Sequence, residues 1–381
     1  MFAPNARRTA ALIAAVALAL TVTACGDDDD SDASPATTAQ AAESATAEAP
    51  SGDAAPASLD ALYAAAKDEG TVIWNTSIPP EDAQTLADAF SAKYPGIDVS
   101  IVTADGDTIP PRIVAEAQAD RVSLDVATAR TDNVGALVDR NLIETVDWKA
   151  YDPEIQDRQL QLDGRLVKMY DFVNGWAYNT DIVKPEDVPA TWDDLLDPKW
   201  KGQLLVDAGG DLALGPLVNS GEWTEAQAEE FITSFVDQDP ALASNGLVTA
   251  TSIGAGEYAI GSFPLTVIPR MQAEGAPVAI LPLGPVSASA SSMFVPVGGP
   301  HPNAGKLLLA WLASPEGVDQ WVALGRGLAD ECTASTLAQL LCDAKVKVIP
   351  LETEEQVATE VGLAEKGVAA MSGHDLPTVD E

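Results

Sequence analysis

Polar side chains follow the apolar runs of this 381-residue chain, at the points where predicted strands end. Ligands of open α/β sheets bind beyond the carboxyl ends of the strands, so these positions are candidates for a small-molecule site. They offer hydroxyl and amide hydrogen bonds, fixed charges, and backbone N–H groups at a Gly-Gly pair. The candidate residues are Asn75, Thr76, Ser77, Asp107, Thr128, Arg130, Asn174, Trp176, Asp207, Gly209, Gly210, Phe263 and Thr266.

The same residue types also have ordinary structural uses, and for every candidate this alternative stays open. Loop Asn, Thr, Ser and Asp residues form turns and caps through their own side chains. Tryptophans such as Trp74 and Trp176 are more typical of a core, where aromatic burial is large.

Catalytic chemistry has little support in the sequence. The two histidines are His301, in a Gly-Gly-Pro-His-Pro loop, and His374, near the C-terminus. Neither belongs to a nucleophile motif, and the sequence contains neither G-x-S-x-G nor H-E-x-x-H. We therefore expect a protein that is not an enzyme and that has no cofactor and no metal centre.

The charge of the chain excludes two classes of partner. There are 58 Asp and Glu residues against 21 Lys and Arg residues, which gives a net charge of −37. Nucleic-acid binding and electrostatic docking on anionic membranes both need clustered basic residues. Hydrophobic residues make up 46% of the chain, so a sizeable core is expected, and the length predicts about two domains.

The N-terminus is predicted to direct export. Residues 1–24 combine Arg7-Arg8 with an uncharged run that is too short to span a bilayer, which is typical of a signal peptide. The sequence Val22-Thr23-Ala24-Cys25 resembles the bacterial lipobox, which implies a diacylated Cys25 and attachment to the membrane through its lipid. An ordinary secreted protein is the alternative. Residues 25–57 contain no aromatic, Lys or Arg residue and are predicted to be a disordered tether.

Two further cysteines, Cys332 and Cys342, remain after Cys25. In an oxidising compartment an isolated pair most simply forms a disulfide. Two buried free thiols are the alternative, because Cys is among the most buried residue types.

Apolar periodicity alternates between helix and strand along most of the chain. Helices are predicted at residues 58–69, 81–94, 113–119, 225–235, 303–313 and 354–370, and Thr191 with Asp194 has the spacing of a capping box. Strands are predicted at 71–74, 97–103, 124–128, 167–178, 204–206, 258–263 and 278–282. This order indicates an α/β fold with a mostly parallel sheet.

Seven short stretches are each weak signals, but together and in this order they are specific for one protein family. They are Ala89–Val99, Arg112–Ala117, Asp125-Val126, Ala177–Thr180, Asp194–Gln203, Gly256-Glu257 and Ala310–Gly317. Over residues 58 to about 346 the chain resembles the extracellular solute-binding proteins of bacterial ABC importers, in the family that includes ferric-iron binders.

That resemblance implies a two-lobe, type II periplasmic-binding-protein fold with crossing hinge strands. The expected lobe 1 is 58–165 plus 290–345, lobe 2 is 166–289 plus 346–371, and 372–381 is a tail. It also implies a monomer outside the cytoplasm that captures a small solute and delivers it to an ABC permease with its ATPase. A sensory lipoprotein that presents its ligand without transport is the alternative of another class.

Two departures from the ferric binders bear on the ligand. Those proteins usually have adjacent tyrosines about ten residues after the Gly-Glu pair, where this chain has Thr266-Val267. They often have a carboxylate after the third strand, where this chain has Arg130. A guanidinium repels Fe³⁺ and attracts anions, and Gly209-Gly210 would add N–H groups. We therefore expect an anionic or zwitterionic solute, such as a phosphonate, sulfonate, phosphate ester or carboxylate, with Asp107 or Asp207 taking any amino group. Ferric iron and polyamines are the alternatives.

Overall fold

The computed structural model describes residues 58–379 apart from 105, 107, 131, 132, 208, 210, 352 and 375. The predicted signal peptide, Cys25 and the tether therefore lie outside the described residues, as do the candidates Asp107 and Gly210. The described residues belong to one compact unit, Ala55–Glu381.

Helices and strands alternate over most of this unit. The α-helices are α1 (Leu59–Glu69), α2 (Pro80–Lys93), α3 (Ile109–Gln118), α4 (Gly135–Asp139), α5 (Trp148–Tyr151), α6 (Gly215–Asn219), α7 (Glu225–Val236), α8 (Gly246–Ala255), α9 (Ile268–Ala273), α10 (Pro302–Ala313), α11 (Pro315–Ala323), α12 (Thr336–Asp343) and α13 (Glu354–Ser372). The strands are β1 (Thr71–Thr76), β2 (Asp98–Thr103), β3 (Ala127–Arg130), β4 (Leu160–Gln161), β5 (Leu166–Asn179), β6 (Leu204–Asp207), β7 (Ala241–Ala243), β8 (Ile260–Pro264), β9 (Val278–Ile280), β10 (Val286–Phe294), β11 (Val348–Pro350) and β12 (Thr378–Val379).

Two long strands, β5 and β10, connect the pairing partners on both sides of the described sheet. β5 pairs antiparallel with β10, with Val173 opposite Ala288. At its N-terminal end β5 also pairs with β4, and at its C-terminal end it pairs with β8 and β9. β3 lies on the other side of β10, and a bridge between Trp74 and Val126 joins β1 to the segment before β3. The expected crossing strands are thus confirmed.

Separate cores lie on either side of these crossing strands. We call lobe 1 the elements packed around Trp74, Phe90 and Trp311, whose side chains are no more than 1% exposed. We call lobe 2 the elements packed around Trp176 and Phe263, in two adjoining apolar clusters. The parallel strands β6, β7 and β8 of lobe 2 end at the same edge, as β1 and β2 do in lobe 1.

Local sequence explains where several elements begin and end. Ser58 caps α1 by accepting from the N–H of Ala61, and Gly70 ends it with φ 72°, a conformation that favours glycine. The predicted capping box is present, since the Thr191 N–H donates to Oδ2 of Asp194 at 2.8 Å. It opens a 3₁₀ turn, because Pro198 disfavours helical backbone at Asp197 and stops the helix early.

A third connection between the lobes follows α11. Arg326 lies over the Tyr170 ring, 5.2 Å from its centroid, and its Nη2 is 3.3 Å from Oδ2 of Asp82 in α2. Nη1 of Arg158 is 3.0 Å from Oδ1 of Asp330. These contacts hold the segment 326–331 to lobe 1.

The same connection is fixed to lobe 2 only a few residues later. Cys332 and Cys342 form the expected disulfide, which ties the segment to α12. Leu337 and Leu341 of α12 lie in a lobe 2 core cluster. The predicted boundary at residue 345 had placed α12 in lobe 1, and this core packing places it in lobe 2.

The C-terminal residues also depart from the expected tail. β12 pairs in parallel with β7, and the Leu242 N–H donates to the Pro377 carbonyl at 2.8 Å. Thr378–Val379 therefore extend the lobe 2 sheet. Among the residues that the structure describes, no helix combines the length and the apolar character that crossing a membrane requires.

Candidate functional site

The strand ends of lobe 1 are held together by their own polar groups. Asn75 is 0% exposed, and its Nδ2 donates to the Val102 carbonyl at 3.1 Å. Oδ1 of Asn75 accepts from the Thr128 N–H, while the Thr128 hydroxyl donates to the Asn75 carbonyl at 2.9 Å. Thr76 is also fully buried, and its hydroxyl accepts from the Ile78 N–H. The side chains of Asn75 and Thr128 therefore join β1, β2 and β3, and the Thr76 hydroxyl serves the turn that follows β1.

Two candidates in lobe 1 do reach the surface. Ser77 is exposed in the turn between β1 and α2. Arg130 is exposed at the end of β3, directly opposite Ser291 of β10. The guanidinium therefore belongs to the edge where the lobe 1 strands end and β10 continues into lobe 2.

His301 serves lobe 1 structurally. Its Nδ1 lies 2.8 Å from Oδ2 of Asp125, and its N–H donates to Oδ1 of the same carboxylate at 2.6 Å. Asp125 is 0% exposed and also accepts from the Ile73 N–H at 2.7 Å. The pair links β1 to the loop before α10.

The loop after β6 in lobe 2 contains two carboxylates. Burial raises the pKa of Asp207; the Gly209 N–H, which donates to Oδ1 at 2.8 Å, opposes this shift, and Asp211 adds to it. Burial also raises the pKa of Asp211, against hydrogen bonds from the Ala213 N–H and from Asn174. The Gly209 N–H thus serves Asp207 within the chain, which corrects the expectation that it faces a ligand anion.

Asp207 lies beside the first residue of α8. A methyl group on Gly246 would be 3.6 Å from Oδ2 of Asp207 and 2.5 Å from Cδ of Pro264. Only a glycine fits here, because a Cβ atom would clash with the Pro264 ring. The ends of β6, β7 and β8 therefore meet around Asp207.

Asn174 of β5 faces the same loop. Its Nδ2 donates to Oδ2 of Asp211 at 3.1 Å, and its Oδ1 is buried and accepts no hydrogen bond within the described part of the chain. Trp176, two residues on, is 1% exposed and donates through Nε1 to the Leu212 carbonyl at 2.9 Å. Trp176 is a core residue, which corrects its placement at the site.

The loop after β8 gives a mixed result. Phe263 is 1% exposed and packs in a lobe 2 core cluster, so it too is a core residue. Thr266 is partly buried in the 3₁₀ turn Leu265–Val267, which leads into α9. It remains a candidate at the edge of lobe 2.

A further carboxylate, that of Glu360 in α13, lies close enough to Asp211 for their charges to interact. Its Oε1 is hydrogen-bonded to the Ser287 hydroxyl of β10, and Nδ2 of Asn219 lies 3.5 Å away. Burial raises the pKa of Glu360 to about 7; the hydrogen bonds from Ser287 and Asn219 oppose the shift and the negative charge of Asp211 adds to it. Sequence patterns missed Glu360, because α13 shows an ordinary helical periodicity there.

These side chains border a cavity of about 50 Å³ against the crossing strands. Its walls include Phe172 and Asn174 from β5, Ser287 and Ser289 from β10, Asp211 and Glu360. Two of these groups are acidic and none is basic. Among the described residues, no group of three or more His, Cys, Asp or Glu side chains has the arrangement of a metal site.

A larger cavity, of about 520 Å³, lies between α2 of lobe 1 and α9 of lobe 2. Glu81 and Asp82 line it from one side and Arg270 from the other. None of the predicted site residues lines this cavity, although Ser77 lies three residues before α2 and Thr266 two residues before α9.

Part of the chain matches a known protein family, and a relative matches most of its length. The family model described as "Bacterial extracellular solute-binding protein" matches residues 85–329. A protein of Haemophilus influenzae described as uncharacterized is 26% identical over 295 residues, which cover 73% of this chain and 83% of that protein.

Solved structures with the same fold share little sequence with this chain. Iron-bound HitA from Pseudomonas aeruginosa has a TM-score of 0.58 at 16% identity, covering 80% of this chain and 99% of HitA. The Atu4243–GABA receptor has a TM-score of 0.60 at 18% identity, covering 80% and 98%. PotD, a spermidine/putrescine-binding protein from Streptococcus pneumoniae, has a TM-score of 0.57 at 15% identity, covering 79% and 99%. At these identities the similarity shows the fold.

Proposed function

We propose a ligand class and a binding mode for this chain, which belongs to the bacterial extracellular solute-binding protein family. It is a substrate-binding protein of the ABC-transporter type, it acts outside the cytoplasm, and its family is one of transport proteins and not of enzymes. The proposal concerns which solute it captures, and how.

The solute is a small zwitterion, with an ammonium group directed to lobe 2 and an acidic group directed to Arg130. The supporting observation is the group formed by Asp207, Asp211 and Glu360. Burial raises all three pKa values, and the hydrogen-bond partners that oppose these shifts are Gly209, Ala213, Asn174, Ser287 and Asn219, none of which is basic. A bound ammonium group would supply the positive charge that this region lacks.

The register of β10 supports a site that includes both Arg130 and Glu360. Arg130 is opposite Ser291, and Ser287 is bonded to Glu360. Side chains at alternate positions of a strand share a face, so Ser287, Ser289 and Ser291 point the same way. Four residues of strand span about 13 Å, and the long side chains at both ends shorten the distance that a solute must bridge.

A zwitterion also reconciles the local and the overall charge. The net charge of −37 attracts cations at long range, while a guanidinium repels them at short range. A polyamine would place a second cation near Arg130. Iron would need several anionic ligands arranged around one point, and among the described residues no group of three or more His, Cys, Asp or Glu side chains has that arrangement.

The direct test is a binding screen with matched pairs. The pairs are 2-aminoethylphosphonate with ethylphosphonate, taurine with ethanesulfonate, and 5-aminovalerate with valerate; putrescine and ferric citrate are added singly. A zwitterion at one hundred times its Kd should stabilise the fold by about 2.7 kcal/mol, which a thermal-shift assay detects. Equal shifts for both members of every pair, or a shift with ferric citrate alone, would overturn the zwitterion.

Delivery follows from capture. Lobe closure about the crossing strands would present the loaded form to a permease with its ATPase. We propose that a monomer is held near that permease by the lipid on Cys25 and by the 25–57 tether. Replacing Cys25 with Ser should move the protein from the membrane fraction to the soluble fraction. Retention of the variant in membranes would refute the lipid anchor.

A further inference from the structure

The cavity against the crossing strands has the size of one functional group. About 50 Å³ holds an ammonium group with its first methylene, whereas a whole amino acid needs several times that space. It lies between β5, β10 and α13, at the level where the lobes join.

The residues that line the cavity include an aromatic ring, two carboxylates and an amide oxygen, all of which attract cations. Phe172 is 42% exposed although it is a large aromatic residue on the central sheet. An open aromatic face attracts ammonium groups through its quadrupole. Asp211 and Glu360 add carboxylates from two different elements, and the buried Oδ1 of Asn174 is an acceptor without a donor among the described residues. The described residues that line the cavity therefore offer several acceptors and no basic side chain.

We propose that this cavity is an ammonium subsite, in which the Phe172 ring and the carboxylates of Asp211 and Glu360 receive the amino end of the solute. The inference rests on the proposed function and sharpens it, because it places the amino group at the crossing strands and away from Asp207. It also predicts that N-methylated ammonium groups are accepted, since an aromatic face binds them without needing N–H donors.

Proton release gives a second, independent consequence. Glu360 faces Asp211 and the polar groups of Ser287 and Asn219, and no positive charge is among the causes that shift its pKa. With that pKa at about 7, part of the population is protonated at neutral pH. An ammonium group favours the carboxylate, so binding should expel a proton, and affinity should be about tenfold weaker at pH 6 than at pH 8.

The test uses calorimetry on the full chain with the three matched pairs of probes. Phe172→Leu keeps an apolar side chain and removes the ring, and Glu360→Gln keeps the shape and removes the titration. Each should raise the Kd of the zwitterion about tenfold and leave the des-amino partner unchanged. Glu355→Gln, at an exposed position of the same helix, is the matched control and should change neither value.

The outcomes separate the subsite from the function. If the wild-type protein does not prefer the zwitterion in any pair, the proposed function fails and the subsite fails with it. If the preference exists, but Phe172→Leu and Glu360→Gln retain it while Asp207→Asn loses it, only the subsite is overturned. Should Phe172→Leu fail to fold, calorimetry of the wild type in two buffers of different ionisation enthalpy measures proton release on binding. Proton release by the wild type that is lost in Glu360→Gln supports the subsite. Equal heats of binding in both buffers refute it.

Discussion

The two lobes use the carboxyl ends of their strands in opposite ways. In lobe 1, Asn75 and Thr128 are buried and bond to each other and to neighbouring backbone. In lobe 2, Asp207 and Asp211 have raised pKa values, and the groups that oppose these shifts are backbone N–H groups and Asn174, not basic side chains. The same topological position thus provides cohesion in one lobe and buried carboxyl groups without a basic partner among the described residues in the other. A strand-end residue is a useful ligand candidate only if its polar atoms are not already satisfied by the protein.

The largest expected effect breaks the cohesive side of this comparison. Asn75→Ala removes the side-chain bonds to Val102 and Thr128 and leaves buried backbone groups without partners. We expect the free energy of unfolding to fall by about 3 kcal/mol, with little change between pH 5 and pH 8. Urea unfolding at both pH values measures this. A loss below about 1 kcal/mol would mean that the lobe 1 strand ends are not held by these bonds.

The next effect tests the charged side. The pKa of Glu360 is raised from 4.5 to about 7, so the folded state binds more protons than the unfolded state between these values. The contribution of Glu360 to stability should therefore be fully present below about pH 4.5 and be lost as the pH rises through about 7. Glu360→Gln should be more stable than the wild type at pH 8, on the order of 2 kcal/mol, and nearly equal to it at pH 4.

Denaturation curves at the two pH values check this sign. Glu355→Gln is the control, because its side chain is exposed and should give no such difference. A wild-type protein whose stability rises steadily from pH 4.5 to pH 7 relative to Glu360→Gln would contradict the burial of a protonated carboxyl at this position.

The third prediction compares the lobes through the ligand. Arg130→Gln should weaken both members of a matched pair, such as 5-aminovalerate and valerate, because both have the acidic group. We expect about a tenfold increase in Kd, or about 1.4 kcal/mol. Variants at Phe172 or Glu360 should affect only the amino member. Calorimetry that found Arg130→Gln to affect neither member would assign Arg130 a purely structural role.

The smallest expected effect is at Ser77. This residue is exposed at the same strand end as Asn75. Comparing the two therefore separates the effect of burial on stability from the effect of position at the strand end. Ser77→Ala should change the free energy of unfolding by less than about 0.5 kcal/mol. A cost as large as that of Asn75→Ala would show that position at the strand end, and not burial, decides stability.

Much of the fold could be predicted from the sequence. Helix α1 is marked by Ser58 and Gly70, and the crossing strand β5 was predicted at 167–178 from its apolar run. The second crossing strand, β10, was missed. Its sequence Val-Ser-Ala-Ser-Ala-Ser-Ser-Met-Phe does alternate with a period of two, with Ala288 and Ala290 buried. Small side chains make that alternation weak in hydrophobicity, so the strand depends on its neighbours for stability.

The candidate site was less predictable. Sequence position identified the loops, but burial separates Asn75 and Trp176 from Asp207, and burial depends on tertiary packing. Glu360 reaches the site from a helix near the C-terminus, 73 residues from its partner Ser287. Local patterns do not contain such a contact, whereas the acidic loop after β6 was visible in the sequence as Asp207 and Asp211.

The third connection has a mechanical consequence for solute exchange. Arg158 holds Asp330 on one side, and the Cys332–Cys342 bond begins two residues later on the other. Two residues of extended chain span only about 7 Å, so the distance between the two attachment points can increase very little. We expect this short connection to limit how far the two lobes can open. It should therefore also limit the size of the molecules that can enter between them.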